Sequence, residues 1–447
     1  MRVAEPAAGE RLAHDKRVAL MAGGAARDEG LNRGIGTYAL ATATVNAVIG
    51  AGIFSLPAGM ARAAGPYALV AYLVCALAMA AVVLCFAEAG SRVPTSGGPY
   101  GYVGEAFGPM VGLVAGVLTW LGCVLASGGI AAGLADALGK LAPTLGGPVP
   151  RVLIIIGVMG GLVGVNLLGV RTASRLLAAG ATVKLLPLLL FVGVGLFFVD
   201  PGKLWAGAAP DAGGIGRAVL LSLFAFQGME TSLGASGEVR DPARTLPRAL
   251  IAAMAFVTIA YIAIQWVAQG LLGQELGASK APLADAMTLI DPRLGLLLLI
   301  GTALSMGIWL GSDILGAPRL LFAFARDGFL PAPLGRLSKR QVPAHAILSH
   351  AAIGVALAVT GTFEELVVLA ALASCALYIG GCLAAWRLRA RDVALAGTPV
   401  RLPLLGLWVV LGSVSMLAAI ALGSWAEIGG LVAVILASML LYAIVRR

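Results

Sequence analysis

Charge is scarce in this chain: 12% of its 447 residues are Asp, Glu, Lys or Arg, where a soluble domain carries about a quarter. Histidine is scarcer still, since His14, His345 and His350 are the whole set and form no HExxH pair. Cys75, Cys85, Cys123, Cys375 and Cys382 stand singly in apolar runs without CxxC spacing. A zinc site and a disulfide framework are thereby excluded, and the cysteines read as small hydrophobes. There is no phosphate-binding GxxxxGK[ST] loop and no GxSxG elbow, so ATP-driven and hydrolytic chemistry lack their parts. What fills the chain is apolar, with 60% hydrophobic residues and a mean hydropathy of +0.95.

Apolar stretches of roughly 18 to 28 residues recur along the chain, each long enough to cross the hydrocarbon core of a bilayer. We read an all-α integral membrane protein of about twelve spans, the first at 37–63, the fifth at 172–199, the sixth at 214–237 and the eighth at 294–325. With the amino terminus inside, about 23 Lys and Arg fall in cytoplasmic segments, about 7 in external ones, and Lys184 alone within a span, the asymmetry that orients membrane helices. Both termini are then cytoplasmic, in a multi-pass protein of the cell inner (plasma) membrane. The net charge of +9 is accounted for by topology and anionic lipid headgroups, and no nucleic-acid partner is needed. Basic runs such as RLRAR at 387–391 read as juxtamembrane anchors. Residues 1–34 form a polar cytoplasmic tail, because Arg11, Asp15, Lys16 and Arg17 interrupt any apolar region of a signal peptide; residues 35–447 form the membrane domain.

Two spans are poor helices. VIGAGIFSLP at 48–57 places Gly50, Ala51 and Gly52 at the middle of the first span with Pro57 close behind. The sixth, from Ser222, carries Gln227, Gly228, Glu230 and Thr231 where a lipid-facing helix carries leucine. A break at membrane depth is tolerated only beside protein or an aqueous cavity, and paired broken spans in two halves of a chain mark an inverted-repeat secondary transporter. Amides from Ile49 and Gly50 to Ile53 face an anion at the positive end of a half-helix. Carbonyls of the break and of Phe224 to Phe226, including Ala225, accept from an ammonium group. A zwitterion fits between them, with Gln227 and Gly228 alongside.

Four segments carry a family resemblance: IGAGIFSLP at 49–57, AEAGSRVPTSGGPYGYVGEAFG at 87–108, FQGMETSLGASGEVRDPARTLPRAL at 226–250 and PRLLFAFARDGFLP at 318–331. In order and spacing they resemble the amino acid, polyamine and organocation (APC) transporter superfamily, amino acid permease type, over roughly residues 35–445. The resemblance implies a five-plus-five inverted repeat of the LeuT-like APC fold with broken helices 1 and 6 and two further C-terminal helices. It implies that Gly50, Ala51 and Gly52 receive the substrate carboxylate and that Phe224 gates the site as an aromatic lid, where many relatives carry tryptophan. It also implies that a lysine in the fifth helix, here Lys184, stands where sodium-coupled relatives hold sodium.

Read from the residues, the second segment breaks a helix at Pro94, Gly97, Gly98 and Pro99 and starts an amphipathic stretch with Tyr100, Tyr102 and Glu105. In DPARTLPRAL, Asp241 and Pro242 end one helix, and Thr245 with Pro247 starts the next. Lys184 within a span costs about 2.5 to 3.5 kcal/mol on insertion scales, and a desolvated lysine serves as a reversible proton carrier. Asp313 pairs with Lys184, meets a cationic substrate, or orients Arg319; the last is weakened because six residues turn a helix through roughly 240°. Glu230 is a proton site or a hydrogen-bond partner of the unwound backbone, and Ser312 is a further cavity residue.

Together these readings give a secondary carrier of amino acids, not an enzyme, working by proton-coupled symport of neutral amino acids through alternating access. The proton is the coupling ion, sodium is disfavoured, and no cofactor or metal is called for. Exchange of one amino acid for another, and carriage of polyamines or organic cations by the same fold, are the alternatives. The second wants more carboxylates near the break than Glu230 and Asp313. Partners are the amino acid substrate and membrane lipid, with the chain a monomer or homodimer.

Overall fold

A computed structural model describes residues 34–50, 52–94, 98–140, 143–168, 184–205, 210–233, 236–395 and 397–446. In chain order its helices are α1 (Thr37–Val48), α2 (Leu56–Ala64), α3 (Ala68–Arg92), α4 (Pro99–Phe107), α5 (Pro109–Leu138), α6 (Pro148–Leu167), α7 (Leu186–Gly195), α8 (Pro201–Leu204) and α9 (Ala212–Ala225). They continue as α10 (Met229–Leu233), α11 (Pro242–Leu272), α12 (Pro282–Thr288), α13 (Pro292–Gly316), α14 (Pro318–Arg326), α15 (Ala344–Thr360), α16 (Phe363–Ala390), α17 (Leu405–Ala421) and α18 (Trp425–Val445). Extended backbone is paired, among the described residues, at one bridge between Ile35 and Val239.

Local sequence sets the helix starts. Proline stands in the first turn of α2, α4 to α8 and α11 to α14, where its missing N–H has no intrahelical partner to lose. Asp211 accepts from the Gly214 amide at the start of α9 at 2.6 Å. Thr362 with Glu365 and Ser424 with Glu427 form reciprocal capping boxes on α16 and α18, each satisfying two amides that the helix leaves open.

Eight described helical segments are long and apolar enough to cross a membrane, among them Leu56–Arg92, Pro109–Leu138 and Phe363–Ala390; Leu186–Phe198, Ala344–Thr360 and Leu405–Ala421 are shorter apolar helices. The first expected span divides at its glycines into α1 and α2. Most of the amino-terminal part of the expected fifth span, 172–183, lies outside the described residues.

The helix α16 packs on α5, α3 and α17, and α15 packs on α5. The halves of the two interrupted spans pair crosswise, α1 with α10 and α2 with α9, while α11 runs against α1 and α3. This crosswise pairing brings the two breaks to one level of the bundle.

Two sequence readings are corrected at the bundle's end. The helix α11 begins at Pro242, after Asp241 in a left-handed conformation at φ 46°, and Pro247 lies inside it. Pro242, already in the first turn, is the proline that starts the helix. In the run RLRAR, read as a lipid anchor, Arg389 instead turns to a buried carboxylate, while Arg387 and Arg391 stay exposed. Arg389 bonds both carboxylate oxygens of Glu88, the Arg387 guanidinium sits 5.1 Å from the centre of the Phe107 ring, and Arg391 donates to the Ala106 carbonyl at 3.1 Å. Glu88 also accepts from Arg92 at 3.0 and 3.1 Å and from the Leu402 amide at 3.0 Å. With Glu88 and Arg92 fully buried, Arg92 and Arg389 are used on a carboxylate that has no water to solvate it. The stretch after Gly98, by contrast, forms α4 as its sequence foretells, with Tyr102 buried edge-on against Phe86 at 5.9 Å.

Candidate functional site: two interrupted helices

The first break is tight. The Gly50 amide turns back to the Val48 carbonyl at 2.6 Å, after Ile49 has closed α1 on Val45 at 2.8 Å. A 3-10 turn at Gly52–Phe54 then leads into α2. The N–H groups of Gly52 and Ile53 open that turn, where no preceding helical turn supplies acceptors. Ala51 lies outside the described residues.

Side chains press on both glycines of the break. A Cβ at Gly50 would sit 2.8 Å from the Trp309 indole nitrogen, and one at Gly52 would sit 2.7 Å from the Phe224 ring. Real carbon contacts do not come that close, so glycine is required for these rings to reach the backbone. Phe224 in turn meets Phe363 edge-on, with centroids 6.3 Å apart. The lid position read from sequence therefore covers Gly52. Trp309, in α13, escaped the sequence reading, since one tryptophan in an apolar span gives no sign of the depth it reaches.

The second break follows Ala225. Phe226 and Gln227 bond back to Ser222, Leu223 and Phe224 at 3.1 to 3.3 Å, and Gly228 takes φ +118° before α10 begins. A Cβ on Gly228 would lie 2.6 Å from the Ala47 carbonyl oxygen and 3.0 Å from the Val48 Cα. The two breaks thus touch backbone to backbone. Thr44 and Ser232 join α1 to α10 by a hydroxyl pair at 2.9 Å.

The freed carbonyls are held from outside the breaks. The Tyr261 hydroxyl, on α11, lies 3.0 Å from the Val48 oxygen and 2.9 Å from the Ala225 oxygen, and its proton is shared between them. One lone pair of Ala225, a carbonyl assigned to an ammonium group, is therefore occupied by tyrosine, as is one of Val48. Lys184 is buried and its ammonium donates to the Asn46 carbonyl in the last turn of α1. Glu230 accepts from the Gly228 amide at 3.1 Å and from the Tyr378 hydroxyl at 2.9 Å, the hydrogen-bond role at the unwound backbone. Of the polar groups at the breaks, the Gln227 amide nitrogen and the Asn46 side-chain oxygen are buried without a partner among the described residues, a state that a polar ligand would relieve.

Asp313 is joined neither to Lys184 nor to Arg319 among the described ion pairs. Its Oδ2 meets His350 Nε2 at 2.9 Å, with His350 fully buried. Ser312 points away from the interior, exposed and bonded back to Ile308 at 3.0 Å. Where α2 ends and α9 begins, a vestibule of about 690 Å³ opens between Arg62, Asp211, Arg217, Gln269 and Glu364, and the Arg62–Glu364 ion pair crosses it. No cluster of His, Cys, Asp and Glu among the described residues has the arrangement to hold a metal ion.

A helical, multi-pass membrane protein with two interrupted spans meeting in its interior is built as a transporter and not as an enzyme. The chain belongs to the amino acid permease family, whose model matches residues 35–444, and it transports amino acids. It is 27% identical over 356 residues to the branched-chain amino acid permease BcaP of Lactococcus lactis subsp. cremoris, covering 74% of this chain and 76% of that protein. The BcaP of Bacillus subtilis is 27% identical over 336 residues, covering 70% and 71%. A cadaverine/lysine antiporter of Escherichia coli is 29% identical over 323 residues, covering 70% and 72%.

Proposed function

We propose that this permease is a proton-coupled symporter of neutral, aliphatic amino acids that works by alternating access. The substrate carboxylate binds in the turn of Gly50, Ala51, Gly52 and Ile53, with Ile49 beside it and with the N–H groups of Gly52 and Ile53 as donors, since that of Gly50 is given to Val48; its ammonium group binds the remaining lone pairs of the second break around Phe224 to Gly228. The single observation that carries this reading is that the two breaks meet, with the Gly228 backbone against Ala47 and the Phe224 ring over Gly52. Phe224 closes over the bound substrate, and Trp309 against Gly50 bounds its side chain. A neutral side chain is favoured because Glu230 and Asp313 already have partners. Branched-chain amino acids are the first to test, given what the two BcaP relatives are named for.

Lys184 takes the coupling role. Its ammonium on the Asn46 carbonyl supplies a positive charge to the unwound end of α1, which leaves no need for sodium there, and its proton can leave when that contact opens. Glu230 and Asp313 are further ionisable groups of the pathway. In this reading the chain has about twelve spans in a five-plus-five inverted repeat with two added helices, residues 1–34 form a cytoplasmic tail, and both termini face the cytoplasm of the inner membrane. Uptake of labelled leucine into proteoliposomes tests it. Accumulation driven by an imposed pH gradient, without sodium, is expected; uptake that occurs only against preloaded amino acid points to exchange.

A further inference from the structure

Asp313 has a place in the pathway proposed above, and its partner His350 has none. His350 is fully buried within α15, yet it is a titratable ring, and its Nδ1 has no partner among the described residues. The bond from Nε2 to Asp313 at 2.9 Å fixes the ring: a carboxylate accepts, so Nε2 carries the hydrogen, and the lone pair is left on Nδ1. The indole of Trp120 lies 6.4 Å away across the α5–α15 contact, and its N–H is likewise buried and unpartnered. Asp313 is four residues after Trp309, one helical turn, so the pair bears on the helix whose indole rests against Gly50.

We propose that His350, held by Asp313, is a proton-binding residue of the transport cycle, separate from Lys184. This rests on the proton-coupled reading. The proton adds to the Nδ1 lone pair while the Nε2–H to Asp313 bond persists, which turns a buried pair of net charge −1 into a neutral one; release to water restores it. No other bond forms or breaks.

Of the groups that face Asp313, His350 is the one with an open ring nitrogen. On α5, the Cys123 thiol faces Asp313 as a second hydrogen-bonding side chain. Asp136 of α5 is paired with Arg151 of α6. Arg319 and Arg326 of α14 and His345 of α15 are exposed, and Arg293 lies at the opposite end of α13 from Asp313.

The chain has three histidines, so nitrogen NMR of the full-length protein with labelled histidine can isolate His350 as the signal missing from His350→Gln. The expected result is a ring held as the Nε2–H tautomer that gains a proton on Nδ1 as the pH is lowered, and a mixture of tautomers in Asp313→Asn. A His350 signal that does not move with pH overturns the proposal. In proteoliposomes, His350→Gln keeps an amide donor for Asp313 but cannot titrate. Leucine exchange is expected within about twofold of wild type, and accumulation under a pH gradient is expected to fall about tenfold. Unchanged accumulation overturns the proposal. If wild type itself accumulates nothing under the gradient, the symport reading falls, and the ring titration still decides whether His350 binds a proton.

Discussion

The hydroxyl of Tyr261 stands 3.0 Å from the carbonyl oxygen of Val48, in the middle of the membrane-spanning bundle, and the same hydroxyl reaches the Ala225 oxygen at 2.9 Å. One side chain therefore ties the end of α1 to the end of α9. An interrupted helix exposes carbonyls that water does not reach at this depth, and a residue serving both breaks fixes their separation as well as their hydrogen bonding. That separation is what a small dipolar substrate would measure.

Tyr261→Phe removes the hydroxyl and keeps the ring in its contacts with Tyr72 and Phe226. A lost neutral hydrogen bond is worth about 1 kcal/mol, so substrate affinity is expected to fall about fivefold with little change in the protein yield. Radioligand binding to the purified variant measures this. An affinity equal to wild type would show that the separation of the breaks is set elsewhere.

Gly52→Val places a branched side chain where even a Cβ meets the Phe224 ring at 2.7 Å. The ring must leave its position, and the amides of the turn are covered. Binding is expected to drop below detection while size-exclusion behaviour stays that of the folded protein. A scintillation proximity assay reads the first, and retained affinity would remove the carboxylate from this turn.

Lys184→Ala deletes the donor to the Asn46 carbonyl. Accumulation under a pH gradient should disappear at every pH tested, whereas exchange of internal for external substrate should persist at a reduced rate. Undiminished accumulation would take Lys184 out of the coupling.

Glu88→Ala leaves the fully buried guanidinium of Arg92, and that of Arg389, without their shared carboxylate. Removing one partner from a buried ion pair costs about 3 to 5 kcal/mol. A markedly lower unfolding temperature in detergent is the expected outcome, and a joint replacement of Glu88, Arg92 and Arg389 by apolar residues should recover part of it. A fluorescence-based thermal scan compares the two.

The breaks were readable because they violate a local rule: Gly50 and Gly52 in one span and Gln227, Gly228 and Glu230 in the other are wrong for helices in lipid, and the structure interrupts both there. The backbone amides and carbonyls that the interruptions free were legible to the same extent. The residues that hold those groups were not. Tyr261 reads as one aromatic in the well-formed helix α11, and Trp309 as one more apolar residue of α13, because nothing in their neighbourhoods breaks a pattern. His350 was set aside for lack of a second ligand in sequence, and its partner Asp313 is 37 residues away. Arg389 of RLRAR was misread for a similar reason: a basic cluster after an apolar run has the composition of a lipid anchor, and only the carboxylate of Glu88, 301 residues earlier, draws this one arginine inward.

The amino-acid sequence by itself determined the solvent, the helical class and the two places where helix fails, because hydropathy and glycine act over a few consecutive residues. The tertiary structure alone decided that α1 lies beside α10 and α2 beside α9, that Tyr261 spans both gaps and that Asp313 turns to His350. Those outcomes depend on distances between side chains remote in sequence, and a hydrogen bond, which needs donor and acceptor within about 3.5 Å, leaves no trace in the order of residues.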